Sequence, residues 1–158
     1  MPWDAEIAAL PVQLRDIALL ASQAALGAYA NESRFSVGAA LRLSKPRLPP
    51  DRQIVTAVNV ENGSYGLTSC AERNAIFRAV AQHGPDIKWD LIAVVAHSAA
   101  LIPGKRHTVS PCGACRQVLD EFKADDSARV LFLKAGAFET EAMSEVLPFP
   151  FVLERESP

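Results

Sequence analysis

Between Val12 and Ala30 the apolar positions Leu14, Ile17, Ala18, Ala21, Ala24, Ala25 and Ala28 recur at steps of three and four, which predicts an amphipathic helix. Pro11 stands where a first helical turn tolerates proline. The period then shortens to two. FSVGAALRL predicts a strand over 36–43 and QIVTAVNV a second over 53–60, a pair that suits a hairpin. Between them SKPRLPPDR is rich in proline and charge and reads as a surface loop over 44–52. A further helix is predicted over 70–82, ended by His83 and by Gly84. WDLIAVVAH is a continuous apolar run, as expected of a strand buried on both faces. PCGACRQVLDEFKA opens on proline and predicts a helix to about Ala124, ARVLFLKA another buried strand, and ETEAMSEVL a short final helix before PFPFVLERESP. This order implies a three-layer α/β/α sandwich around a mixed sheet of about five strands. No internal repeat, heptad or low-complexity tract interrupts it.

Composition narrows the classes of function. At 158 residues, 49% of them hydrophobic, the chain suits one globular domain over 1–158 with a real core. A net charge of −2 and the lack of a dense Lys/Arg run offer nothing to a phosphate backbone, so a small-molecule partner is expected and nucleic acid is not. The N-terminal MPWDAEIAAL is acidic and lacks the basic and apolar regions of a secretory signal, which points to the cytoplasm. IALLASQAALGAYA is too short for a membrane span of about 20 residues. The chain has three cysteines, which cannot all pair within it, and two of them form C-x-x-C; in a reducing compartment this favours thiolate chemistry.

The candidate chemistry lies in LTSCAERNA (67–75) and VSPCGACRQVL (109–119). Taken alone, Ser69 and Glu72 form a capping box, a purely structural device. The second stretch changes that reading. Cys112 and Cys115 are three apart at a helix start, so both can reach one metal ion, and the helix end favours their thiolates. C-x-x-C is shared with redox pairs, but here it lies late in the chain beside another cysteine at a helix start. Cys70 supplies a third ligand, and three thiolates on Zn²⁺ leave one tetrahedral position open, as catalytic zinc requires. A fourth ligand from His83, His97 or His107 would close the site, yet none has ligand spacing to the cysteines. Arg73 and Arg116, each adjacent to a cysteine or to Glu72, are placed to donate to the sulfurs and offset their charge; otherwise they are exposed helix arginines. Glu72 points away from Cys70 as a ligand but can reach a water at the metal and move its proton. A cysteine, x, Glu and a later P-C-x-x-C is the recognised signature of zinc deaminases.

NVENGSYGLTSCAERNA and SPCGACRQVL, with FSVGAAL before and VLPFPF after, resemble the small three-cysteine cytidine deaminases over most of the chain. The resemblance implies hydrolytic deamination of cytidine and deoxycytidine in pyrimidine salvage, one Zn²⁺ per chain, and a homotetramer with shared active sites. It implies that Asn59 and Glu61 bind the sugar 3′-hydroxyl, and that Phe35 and Phe151 pack against the pyrimidine, Phe151 from another subunit. Tyr65 is then offered to an adjacent site. The Ala71 N–H meets the base carbonyl, and the Ser110 carbonyl accepts from the exocyclic amine. Glu72 is acid and base in turn, delivering protons to ring N3 and to departing ammonia. The chain departs from the family at Asn31 and Glu32, where a proline and an aromatic are usual, and in its 44–52 loop and the HSAALIPGKRHT stretch, where Glu32, Lys105 and Arg106 face either substrate or solvent. Rival readings are a blasticidin S-type deaminase, a nucleotide or tRNA deaminase, and a non-catalytic zinc scaffold. The intact NVEN speaks against the first, the acidic balance against the second, and Glu72 against the third.

Overall fold

The protein is described by a computed structural model over residues 3–44, 49 and 53–153. Five strands, β1 (Ser36–Leu43), β2 (Ile54–Val58), β3 (Trp89–His97), β4 (Arg129–Lys134) and β5 (Ala137–Ala142), form one sheet in the order β2-β1-β3-β4-β5. β1 is antiparallel to β2 and β3, β4 is antiparallel to β5, and only β3 and β4 run parallel. That parallel pair needs a crossover, and the helix carrying C-x-x-C supplies it. α1 (Asp4–Ala8) and α2 (Val12–Ala25) cover one face; α3 (Ala71–His83), α4 (Gly113–Phe122) and α5 (Met143–Val146) cover the other. The expected three-layer sandwich with a mixed five-stranded sheet is therefore present.

Strand alternation sorts the core into two layers. Ile92, Val94, Val130 and Phe132 pack under α3, α4 and α5, while Leu91, Ala93, Val95, Leu131 and Leu133 pack under α1 and α2. A continuous apolar run is what a strand covered on both faces needs. The two tryptophans close the layers without stranding a polar atom: the indole N–H of Trp3 donates to the Ala96 carbonyl at 2.8 Å and that of Trp89 to Leu119 at 2.9 Å. α2 lies directly on β1, because a Cβ on Gly38 would stand 2.0 Å from the Ala21 carbonyl oxygen. Small side chains on α2, Ala18, Ala21 and Ala25, permit that approach.

Three expectations need correction. The first helix stops at Ala25, well short of Ala30, because the chain turns to pair with the stretch before α3: Tyr29 N–H donates to Asn59, and Glu61 N–H donates back to Tyr29. ETEAMSEVL is not one helix. Residues 137–142 form β5, and only 143–146 are helical. The cause is a two-residue turn in which Ala135 (φ 51°) and Gly136 (φ 97°) both take the left-handed conformation that brings Lys134 opposite Ala137. Gly136 has a second constraint, since a Cβ there would meet the Lys105 carbonyl oxygen at 2.5 Å. Thirdly, no capping box forms at α3: Cys70 takes the N-cap position without a side-chain bond, and Ser69 Oγ turns to the Asn74 Oδ1 at 2.7 Å. The short α1, which buries Ile7, was not signalled by the periodicity. Most of the expected 44–52 loop lies outside the described residues.

Candidate active site

α3 and α4 begin side by side on the same face of the sheet, and each begins with a cysteine. Cys70 and Cys112 are the N-cap residues of α3 and α4, both in extended backbone and neither using its side chain to cap. Cys115 follows in the first turn of α4. The Cys70 and Cys112 sulfurs are 3.8 Å apart, those of Cys112 and Cys115 3.4 Å, and all three lie within 4.8 Å of one another. Tetrahedral Zn²⁺ with bonds of about 2.3 Å places its sulfurs about 3.8 Å apart, so this donor set fits zinc. It is the one group of this kind among the described residues, and His83, His97 and His107 are not part of it. Hydrogen bonds from Cys115 and Cys112, with Arg73 alongside, bring the Cys70 thiol down to about 5. Cys115 moves the opposite way, its S–H being held by the bond it makes to Cys70.

A cavity of about 370 Å³, in the range of small-ligand sites, opens beside this cluster. Phe35, Asn59, Glu61, Cys70, Ala71, Glu72, Ser110 and Cys112 all line it, with Cys115 buried behind. Glu72, in the first turn of α3, is only 4% exposed. Burial is the main cause that pushes its carboxyl up to about 7; its own backbone N–H opposes this and the Cys70 charge adds to it. Ala71 is the first residue of α3, so its backbone N–H has no acceptor within the helix.

At the far side of the cavity Glu61 receives the chain's least expected stretch. The backbone N–H groups of Glu32 and Ser33 donate to its Oε2 at 2.9 and 3.1 Å, and the Ser33 hydroxyl donates to Oε1. The Ser33 hydroxyl bond is the chief cause that holds the Glu61 carboxyl below its ordinary value. Ser33 also accepts from the Phe35 N–H, and Arg34 takes a left-handed φ of 57° to close the turn. Asn59 is committed at both ends, its Oδ1 accepting from the N–H of Val37 in β1 at 2.7 Å and its Nδ2 donating to the carbonyl of Phe35, just before β1, at 2.9 Å. One amide hydrogen remains for a ligand. The sequence reading missed Ser33 as a lining residue. Its signal was local, a turn-forming serine two residues after Asn31.

Other candidates sit elsewhere. Arg73 donates to the Thr68 carbonyl at 3.1 Å and bears on Cys70. Arg116 reaches no sulfur, contrary to expectation: Nε donates to the Pro111 carbonyl at 2.8 Å, Nη1 to Val146 at 3.0 Å and Nη2 to Ser110 Oγ at 3.2 Å. Three close oxygens, two of them helix-end or loop carbonyls, satisfy the guanidinium better than a neighbouring thiol does. Tyr65, in the turn Tyr65–Leu67, and Phe151 are 65% and 70% exposed and line no part of this cavity.

Two helix starts that bring three sulfurs and a buried carboxyl to one cavity define a zinc-dependent hydrolytic site. The family described as Cytidine and deoxycytidylate deaminase zinc-binding region matches residues 12–132, and the chain belongs to it. A cytidine deaminase from Halalkalibacterium halodurans is 42% identical over 134 residues, covering 85% of this chain and 90% of that protein. A cytidine deaminase structure from Burkholderia pseudomallei superposes with a TM-score of 0.70 at 33% identity, covering 90% of this chain and all of its own. A blasticidin-S deaminase from Bacillus cereus is more distant, 29% identical over 121 residues, covering 76% of this chain and 79% of that protein.

Proposed function

We propose that this protein deaminates cytidine and deoxycytidine by hydrolysis, giving uridine or deoxyuridine and ammonia. The observation that carries the reading is a buried carboxyl poised near neutrality, Glu72, next to a three-sulfur cluster at the wall of a nucleoside-sized cavity. Cys70, Cys112 and Cys115 would hold Zn²⁺, which would supply the Lewis acidity for activating a water near neutral pH. Glu72 accepts that water's proton and passes it to ring N3 as the oxygen adds to C4. It then takes the second proton from the new C4 hydroxyl and passes it to the amine, so that C4=O forms as the C4–N bond breaks and ammonia leaves. A buried carboxyl raised toward neutrality is suited to both directions. The Ala71 N–H holds the base carbonyl and the Ser110 carbonyl accepts from the exocyclic amine. Phe35 packs against the pyrimidine. Glu61, kept ionised by Ser33, accepts the sugar 3′-hydroxyl, and the free hydrogen of Asn59 donates to it.

Tyr65 and Phe151 complete the sites of neighbouring copies in a homotetramer, which accounts for two exposed aromatics that line no part of the cavity beside their own chain's sulfur cluster. We place the enzyme in the cytoplasm, acting in pyrimidine salvage. No helix among the described residues is long and apolar enough to cross a membrane. The test is ammonia release by zinc-loaded protein from cytidine, deoxycytidine, cytidine monophosphate and blasticidin S. Turnover of the two nucleosides alone supports the reading. Turnover of blasticidin S in their place would transfer the chain to the antibiotic deaminases.

A further inference from the structure

The stretch from Val146 to Phe151 combines exposed apolar side chains with a backbone held unusually firmly. Phe149 is 93% exposed, and Val152 and Leu153 beyond it are about two-thirds exposed. Ordinary exposed chain of this kind loses entropy on being ordered and gains nothing in return. Here both ends are fastened to α4. Arg116 Nη1 holds the Val146 carbonyl. One turn face along, the Gln117 carboxamide grips one residue at two points, Nε2 donating to the Phe151 carbonyl and Oε1 accepting from the Phe151 N–H, each at 2.9 Å. Between the anchors Pro148 and Pro150 fix their own φ and bias the residues before them to extended backbone. The result is a stiff four-residue bridge that ends in an exposed aromatic ring lining no part of the cavity beside its own chain's sulfurs. Its footing is α4, which begins at Cys112 and carries Cys115, so the bridge is fastened to the element that holds two of the three sulfur donors.

We propose that Gln117 is a positioning residue that presets the Phe151 ring for the pyrimidine site of a second copy of this chain. This rests on the proposal of shared active sites. Gln117 touches neither substrate nor metal; it acts by removing the ordering that Phe151 would otherwise undergo when the neighbouring site fills. A carboxamide is suited to the task because it offers one donor and one acceptor in the geometry of a β-ladder.

The experiment compares steady-state kinetics with cytidine, melting temperature and zinc content for Q117A, Q117E and F151A, and then for mixed tetramers. Q117A is expected to raise KM about tenfold, the cost of two ordinary hydrogen bonds, with kcat, zinc content and melting temperature close to wild type. Q117E keeps the acceptor for the Phe151 N–H but loses the donor, and is expected to fall between. The decisive readout is complementation in trans. Subunits carrying E72Q have dead sites and intact bridges, so mixing them with Q117A subunits should return a fraction of the live sites to the wild-type KM. An unchanged KM in Q117A while F151A raises it overturns the role of Gln117. A raised KM in Q117A that E72Q subunits do not restore overturns the action across copies. If F151A itself leaves KM unchanged, it is the shared-site proposal that fails.

Discussion

Replacing Glu72 by glutamine in the metal-free protein should change the pH dependence of stability by a calculable amount. In the folded chain the carboxyl titrates at about 7, against an ordinary value of 4.5, chiefly because it is buried. The sign follows from which state holds the proton more tightly. Below pH 4.5 both folded and unfolded chains are protonated and no penalty exists. As pH rises the unfolded chain ionises first, so folding loses stability until the folded group also ionises near 7. A displacement of this size corresponds to about 3 kcal/mol at 1.36 kcal/mol per unit. The raised carboxyl therefore stabilises at acid pH and that contribution is gone above about pH 7. Glutamine resembles the protonated acid and cannot ionise. Urea titrations of chelator-treated, reduced wild type and E72Q, taken at steps from about pH 4 to about pH 8, should show the mutant gaining about 3 kcal/mol relative to wild type as pH rises. The Cys70 charge adds to the same displacement, so the difference between the two proteins reports burial and that charge together. Parallel curves across that window would refute the placement of Glu72 as a buried, near-neutral acid.

Other outcomes follow from the same geometry. Chelation should lower the melting temperature, and free Zn²⁺ at about a thousand times its dissociation constant should restore about 4 kcal/mol, an increment that C112S abolishes; melting curves indifferent to zinc would contradict the three-sulfur site. G38A should cost about 3 kcal/mol, or a fall of about 6 to 12 °C in melting temperature, because two α2 backbone atoms lie under 3 Å from the new Cβ; a loss below about 1 kcal/mol would mean α2 and β1 can part freely. S33A should raise KM for cytidine about fivefold with kcat little changed, since it frees Glu61 from its strongest tether; steady-state rates showing an unaltered KM would remove Ser33 from the site.

The parts of the site that depend on helix starts were legible in the sequence. Cys70, Glu72, Cys112 and Cys115 are placed by their positions in two first turns, and a first turn is a rigid frame. The parts that depend on backbone acceptors were not. Arg116 goes to the carbonyls of Pro111 and Val146, and no residue type announces a carbonyl that happens to face a guanidinium. Asn59 likewise spends most of its amide on Val37 of β1 and on Phe35 just before it. β5 was hidden because Glu, Ala and Met favour helix intrinsically, while pairing with β4 overrides that preference. Its signal was Ala135-Gly136, a short turn dipeptide between the apolar run of β4 and the alternation of AFETEA.

The central claim is that Glu72 moves the proton in a zinc-dependent deamination of cytidine. Its most direct test is the turnover of cytidine to uridine by wild type and E72Q prepared with matched zinc content, one ion per chain in each. Loss of positioned acid–base catalysis predicts a fall in kcat of at least about a hundredfold in E72Q, with zinc retained. An E72Q enzyme that holds its zinc and still works within about tenfold of wild type would contradict the account at its centre.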